Sequence, residues 1–210
     1  MMTAIPSNLC ELFTQAVQRC PNNLAVDHRD GCLTYCELDE TSSVLARNLA
    51  RIGVTNGSPV LLVTAHGTFN LVAILAIIKA GGCFVPIDRR TWSSEMIEYV
   101  FDTVDSPIVI NTTVEPLAVP SGIRHVLHIT ALSQPEVGKH ESSLVFPIEP
   151  EDTACIVFTS GSTGKPKGVM ISHRSLCLYS RTSPINLDIS PGDRLLHMLS
   201  VAFDGSLHLP

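Results

Sequence analysis

The 210-residue chain is poor in charge, with only 16% Asp, Glu, Lys and Arg, and its formal net charge is −6. It lacks the basic patch that a nucleic-acid-binding surface needs to meet phosphates, which argues against that class. It also lacks any apolar run long enough to cross a bilayer; the longest, Leu71 to Ile78, is far too short. Residues Met1 to Asn8 carry neither a basic stretch nor an apolar one, which argues against a signal peptide and for a cytoplasmic protein. No CxxC pair occurs among the seven cysteines, an odd and scattered set. That argues against a zinc site and a disulfide framework, and for buried free thiols in a reducing compartment. No internal repeat or low-complexity tract is present.

Apolar residues make up 45% of the chain, enough to bury a core, and the scarcity of charge suits a piece that packs against more protein. Asn8 reads as a helix cap with Glu11 reaching back to it, followed by Leu9, Leu12, Phe13, Ala16, Val17 and Cys20 on one helical face. Leu24–Val26 and Leu33–Tyr35 read as short strands around the turn Arg29–Gly31. A second helix is expected from about Asp39 to Ile52, stopped by Gly53. Pro59–Thr64 has the unbroken apolar character of a buried parallel strand. An almost wholly apolar helix over Phe69–Ala80 follows, then a strand over Cys83–Ile87: a βαβ unit.

Trp92, Met96, Val100 and Val104 mark another amphipathic helix, and Ile108–Ile110 and Val126–Ile129 further strands. Alternating strands and helices make the fold class α/β. The expected division is a first α/β subdomain over residues 1–130, a polar loop over 131–150, and a segment over 151–210 that opens the next subdomain. His125 and His128, three apart on a strand, point to opposite faces and make a poor metal pair. His173 stands open to supporting the loop before it or to a purely structural place.

The chemistry is carried by the strand Ala154–Phe158 and the ten residues after it, Thr159 to Gly168. These ten hold three glycines, four hydroxyl residues and two lysines. Gly161, Gly164 and Gly168 permit close backbone approach and inward-pointing amides that can cradle an anion. Thr159, Ser160, Ser162 and Thr163 can donate to phosphate oxygens, and Lys165 and Lys167 add compact positive charge. The loop is not a Walker A motif: Thr159 stands where that motif has its first glycine, and Pro166 where it has Ser or Thr.

The order Ser160-Gly-Ser-Thr-Gly-Lys-Pro-Lys-Gly168 resembles the signature of the adenylate-forming superfamily. Three other segments resemble, in the right order, motifs of the adenylation domains of nonribosomal peptide synthetases. They are Leu33–Leu38, Ile78–Asp88 and Ala202–Ser206. The second departs from the pattern just after Asp88, where Arg89 and Trp92 take the place of prolines.

The resemblance implies a two-step reaction. A carboxylate attacks the α-phosphate of ATP with Mg2+ to give an acyl-adenylate and pyrophosphate, and a carrier-protein phosphopantetheine thiol then takes the acyl group. It implies that residues 159–168 hold the ATP phosphates and that Asp204 pairs with the α-ammonium group of an amino-acid substrate. It also implies that the magnesium ligand and the remaining catalytic motifs lie beyond Pro210, so that the chain alone is inactive. Two alternatives stand beside this reading: a fragment of an acyl- or aryl-CoA ligase, whose substrates lack the ammonium that Asp204 would meet, and a non-catalytic remnant or nucleotide-binding module.

Overall fold

The computed structural model describes residues 6–64, 67–129, 146–159, 165–190, 192–197 and 200–202. Helix α1 (Leu9–Arg19) begins where the Asn8 side chain accepts the Glu11 amide, as its sequence predicts. The Glu11 carboxylate, however, reaches past Asn8 to the amide and hydroxyl of Ser7, at 2.7 and 3.0 Å. The full reciprocal cap occurs instead at helix α2 (Tyr35–Arg51), where Thr34 and Glu37 bond each other's backbone amides. That cap starts α2 four residues before the expected Asp39 and ends the strand before it at Thr34, so β2 is Gly31–Thr34.

Strands β1 (Leu24–His28) and β2 (Gly31–Thr34) form an antiparallel hairpin of their own. The main sheet has six strands in the order β6-β5-β3-β4-β7-β8. Its members are β3 (Pro59–Thr64), β4 (Cys83–Asp88), β5 (Ile108–Asn111), β6 (His125–His128), β7 (Thr153–Thr159) and β8 (Lys167–Ser172). The five strands from β3 to β7 run parallel, and β8 alone is antiparallel, on β7. Helices α3 (Thr68–Lys79) and α4 (Ser94–Thr103) cross between strands, and α5 (His173–Asn186) follows β8.

Both faces of the sheet are covered, so its central strands are apolar on both sides rather than alternating. Val60, Leu62, Phe84, Ile110, Cys155 and Val157 pack toward α1, α2, α3 and α5. Their neighbours Leu61, Val63, Val85, Ile87, Val109 and Phe158 pack toward α4. Helix α3 is buried almost all round, which explains its lack of an amphipathic stripe. It ends in a Schellman turn: Gly82 N–H reaches Ile77 O at 2.9 Å, and Gly81 N–H reaches Ile78 O at 2.9 Å. The turn needs φ +77° at residue 81, a conformation that glycine adopts without strain.

Lys79, in the last turn of α3, does more than suit the helix dipole. Its ammonium reaches back to α2, within 2.7–2.9 Å of Asp39 O, Asp39 Oδ1, Ser42 Oγ and Ser43 Oγ. The two serines send their own hydroxyl protons to Leu38 O and Asp39 O, leaving lone pairs for the lysine. The Phe13 ring lies 5.3 Å from the same ammonium. Burial lowers the Lys79 pKa, and Asp39 works against that fall.

All seven cysteines are free, but only Cys83, Cys155 and Cys177 are buried. Cys32 is exposed and the other three are partly covered, so the expectation of wholly buried thiols holds for fewer than half. Burial pushes the Cys83 thiol up to about 12 and the Cys177 thiol to about 11, which makes both inert near neutral pH.

Candidate functional site

In sheets of this kind ligands bind beyond the carboxyl ends of the parallel strands. Here that edge is formed by Thr64, Asp88, Asn111 and Thr159, the last residues of β3, β4, β5 and β7. Thr159 leads directly into the glycine- and hydroxyl-rich segment that the sequence singles out. The chain returns through Lys165 and Pro166 into β8, so the segment is the connection of an antiparallel hairpin at the carboxyl edge.

The pairing narrows the loop. Thr159 pairs with Lys167, and Phe158 with Gly168, so Thr159, Lys167 and Gly168 are strand residues and not loop residues as their composition suggests. The strand explains this glycine without an anion. A Cβ at residue 168 would stand 3.0 Å from Ile156 Cγ2 and 3.2 Å from the Phe158 ring, so its absence lets Phe158 lie under β8. Lys165 and Lys167 are both exposed. Ser160, Gly161, Ser162, Thr163, Gly164 and Asp204 lie outside the described residues, as do His66 and most of the expected loop over 131–150.

The rest of the edge divides in two. Over β3 and β5 its polar groups are satisfied internally. Thr112 Oγ1 donates to Asn70 Oδ1 at 2.6 Å and to Val63 O at 3.2 Å. Asn111 Nδ2 donates to Glu115 O at 3.0 Å, and its Oδ1 accepts the Thr113 amide at 2.9 Å. Over β4 and β7 this stops. Asp88 is 1% exposed. Its Oδ1 accepts the Arg90 amide at 2.9 Å, while Oδ2, also buried, has no hydrogen-bond partner among the described residues.

The turn after Asp88 holds without the prolines of the resembling motif. Asp88 O accepts the Trp92 amide at 3.0 Å, and Arg89 Nη1 donates to Pro116 O at 3.0 Å. Ser93 then caps α4 by accepting the Met96 amide.

His173 lies at the far end of β8 from the loop and is a structural residue. It is 1% exposed, its amide donates to Asp152 O at 3.0 Å, and its Nδ1 faces the Leu9 amide at 3.4 Å. Burial lowers its pKa to about 4, against the pull of Asp152. It is therefore neutral near pH 7 and ties α5 to the start of α1. Among the described residues no three His, Cys, Asp or Glu side chains gather closely enough to hold a metal ion.

Comparison with known proteins agrees with this geometry. Residues 13–209 match the family described as AMP-binding enzyme. The chain is 57% identical over 201 residues to nonribosomal peptide synthetase verP of Clonostachys rogersoniana, covering 95% of this chain and 10% of that protein. It is 54% identical over 209 residues to nonribosomal peptide synthetase gliP of Aspergillus fumigatus, covering 98% of this chain and 10% of that protein. The chain thus spans about a tenth of the length of these relatives.

Among solved structures, the AMPPNP-bound form of the nonribosomal peptide synthetase FmoA3 superposes with a TM-score of 0.82 at 27% identity. That match covers 98% of this chain and 21% of FmoA3. A second form of FmoA3 is bound to α-methyl-L-serine-AMP. Family match, parallel sheet and hairpin at its carboxyl edge lead to one conclusion: this chain belongs to the AMP-binding enzyme family, as part of an adenylation domain of the nonribosomal peptide synthetase type.

Proposed function

We propose that this chain supplies the triphosphate-binding part of an ATP-dependent, amino-acid-activating adenylation domain. The observation that carries the reading is the β7–β8 hairpin. It sets a connection of glycines, hydroxyls and Lys165 at the carboxyl edge of a parallel sheet, with Lys167 at the strand root beside it. FmoA3, a structural neighbour, binds AMPPNP, which supports ATP as the nucleotide.

In the proposed reaction an amino-acid carboxylate oxygen attacks the α-phosphorus of ATP, and the bond to the bridging oxygen breaks to release pyrophosphate. The chain's own part is positioning and charge neutralisation. Backbone amides and hydroxyls of Ser160 to Gly164 hold the β- and γ-phosphates, and Lys165 and Lys167 balance their charge. Asp204 is assigned to the substrate ammonium, because a partly buried cation needs a countercharge. That assignment favours an amino acid over a fatty or aryl acid. FmoA3 bound to α-methyl-L-serine-AMP supports the same substrate class.

Magnesium would accompany ATP, and the described residues hold no cluster of three His, Cys, Asp or Glu side chains for it. A phosphopantetheine thiol of a carrier protein is the proposed acceptor in the second step. Cytoplasmic location is proposed on the free thiols; no helix among the described residues is long and apolar enough to cross a membrane.

The test is binding of AMPPNP by the chain at low micromolar concentration, against a Lys165→Ala/Lys167→Ala variant. Hydrogen bonds to charged groups contribute about 1.5–3 kcal/mol each, so losing both lysines should weaken binding on the order of 100-fold. Equal affinity of the two proteins would refute the phosphate-loop assignment. Amino-acid-dependent ATP–pyrophosphate exchange by the chain alone would refute the expectation that it needs further catalytic groups.

A further inference from the structure

Nothing in the fold so far accounts for Asp88. It is a buried carboxylate at the end of β4, with one oxygen occupied by the Arg90 amide and the other, Oδ2, without a donor among the described residues. The Arg90 guanidinium approaches only Oδ1, at 3.7 Å, and its side chain is mostly in solvent. Buried carboxylate oxygens are rarely left bare, because the group was hydrogen-bonded to water in the unfolded chain.

The register of the sheet says which donor lies next to it. Phe84 of β4 pairs with Cys155 of β7. Carried four residues further along both strands, that register would set Asp88 level with Thr159. The faces agree. Ile87 and Phe158 pack on the α4 side, while Phe84, Cys155 and Val157 pack on the α3 side. With a side-chain period of two, Asp88 and Thr159 both fall on the α3 side.

Adjacent strands are about 4.8 Å apart, so side chains level with each other on one face can meet. Lys167 shares that face through its pairing with Thr159, but it stands one strand further out, roughly 10 Å from Asp88. Thr159 itself is exposed, with no side-chain hydrogen bond to the other described residues.

We propose that Asp88 is a positioning residue for the root of the phosphate loop: its Oδ2 accepts a hydrogen bond from the Thr159 hydroxyl when a polyphosphate is bound. This rests on the triphosphate reading above and changes one part of it. A carboxylate beside Thr159 repels a phosphate oxygen from that hydroxyl, so Thr159 anchors the end of β7 to β4, and the phosphate donors begin after it. The sequence favours the same division, since the loop keeps three further hydroxyls, on Ser160, Ser162 and Thr163.

The test is a double-mutant cycle on AMPPNP affinity, using the whole chain. Thr159→Val, at an exposed position, and Asp88→Leu, similar in volume but without an acceptor, should each weaken binding about 10-fold. The double variant should be no more than about twofold weaker than either single one, and Thr159→Ser should restore wild-type affinity. If Asp88→Leu does not fold, Asp88→Asn replaces it in the same cycle; the amide presents a donor where the acceptor stood. A Thr159→Val loss that persists undiminished in the Asp88 background overturns the proposal. So does a Thr159→Val variant that binds as wild type does, or an Asp88 variant that melts lower but binds AMPPNP unchanged. Failure of the wild-type chain itself to bind AMPPNP is a separate outcome, which overturns the triphosphate reading and this inference with it.

Discussion

Replacing Lys79 with methionine tests a buried polar contact between α2 and α3. The lysine side chain is 14% exposed, and its ammonium is shared among four oxygens of α2 at 2.7–2.9 Å. Methionine keeps the length and apolar stem but removes the ammonium donor from all four oxygens. Removing one partner of a fully buried ion pair costs roughly 3–5 kcal/mol. The Asp39 side chain is 39% exposed, so water can take over part of the lysine's role, and the serine hydroxyls keep their bonds to the helix backbone. The loss should therefore fall to about 2–3 kcal/mol, near that of one or two hydrogen bonds to a charge. For a chain of this size each kcal/mol moves the midpoint by roughly 2–4 °C, so melting should drop by roughly 4–12 °C. Urea unfolding followed by far-UV circular dichroism reads the same quantity at constant temperature. Asp39→Asn, which keeps a carbonyl acceptor, should cost distinctly less. A Lys79→Met variant within about 0.5 kcal/mol of wild type would show that the buried ammonium is no clamp between α2 and α3.

Other outcomes follow from the same packing. The folded His173 has a pKa of about 4 against an ordinary 6.5, so between these values the unfolded chain binds the proton and the folded chain does not. Stability should fall by up to about 3 kcal/mol as pH drops from 6.5 to 4, and His173→Asn, which keeps an acceptor near Leu9, should flatten that slope in acid denaturation. Asp30 caps α3 from the β1–β2 turn, accepting the Thr68 amide at 3.2 Å and its hydroxyl at 2.9 Å; Asp30→Ala should cost about 1 kcal/mol in urea unfolding. A Cβ at Gly67 would stand 2.2 Å from Asp30 Oδ2, so Gly67→Ala should cost at least about 2 kcal/mol, only part of it recovered in the double variant with Asp30→Ala because φ +156° strains any side chain there. Strand β8 forms the sheet's outer edge, with Val169 47% and Met170 68% exposed, so the chain should associate in solution. Met170→Lys should reduce that association in light scattering, and a monodisperse wild-type monomer would count against the reasoning.

Local chemistry accounts for much of what can be read without coordinates. The Asn8 cap, the Gly53 and Gly81 stops, the unbroken apolar run of β3 and the wholly apolar α3 are nearest-neighbour effects, visible along the chain. The order of residues from Ser160 to Gly168 carried the family resemblance for the same reason: it is a run of adjacent residues, legible along the chain.

Contacts between residues far apart in sequence needed the tertiary structure. No cap precedes α3 in sequence, because Gly67 has no side chain and Asp30, some forty residues earlier, takes that role. Lys79 looks like an ordinary helix-end cation until α2 folds over it. His173 sits close to the loop in sequence, yet the length of β8 carries it to the opposite end of the sheet, where burial lowers its pKa against the pull of Asp152. Lys167 and Gly168 look like loop by composition, and pairing with Thr159 and Phe158 makes them strand. The bare oxygen of Asp88 is legible only once β4 and β7 lie side by side. Propensity and capping act over a few residues, whereas burial and strand register depend on which distant segments meet.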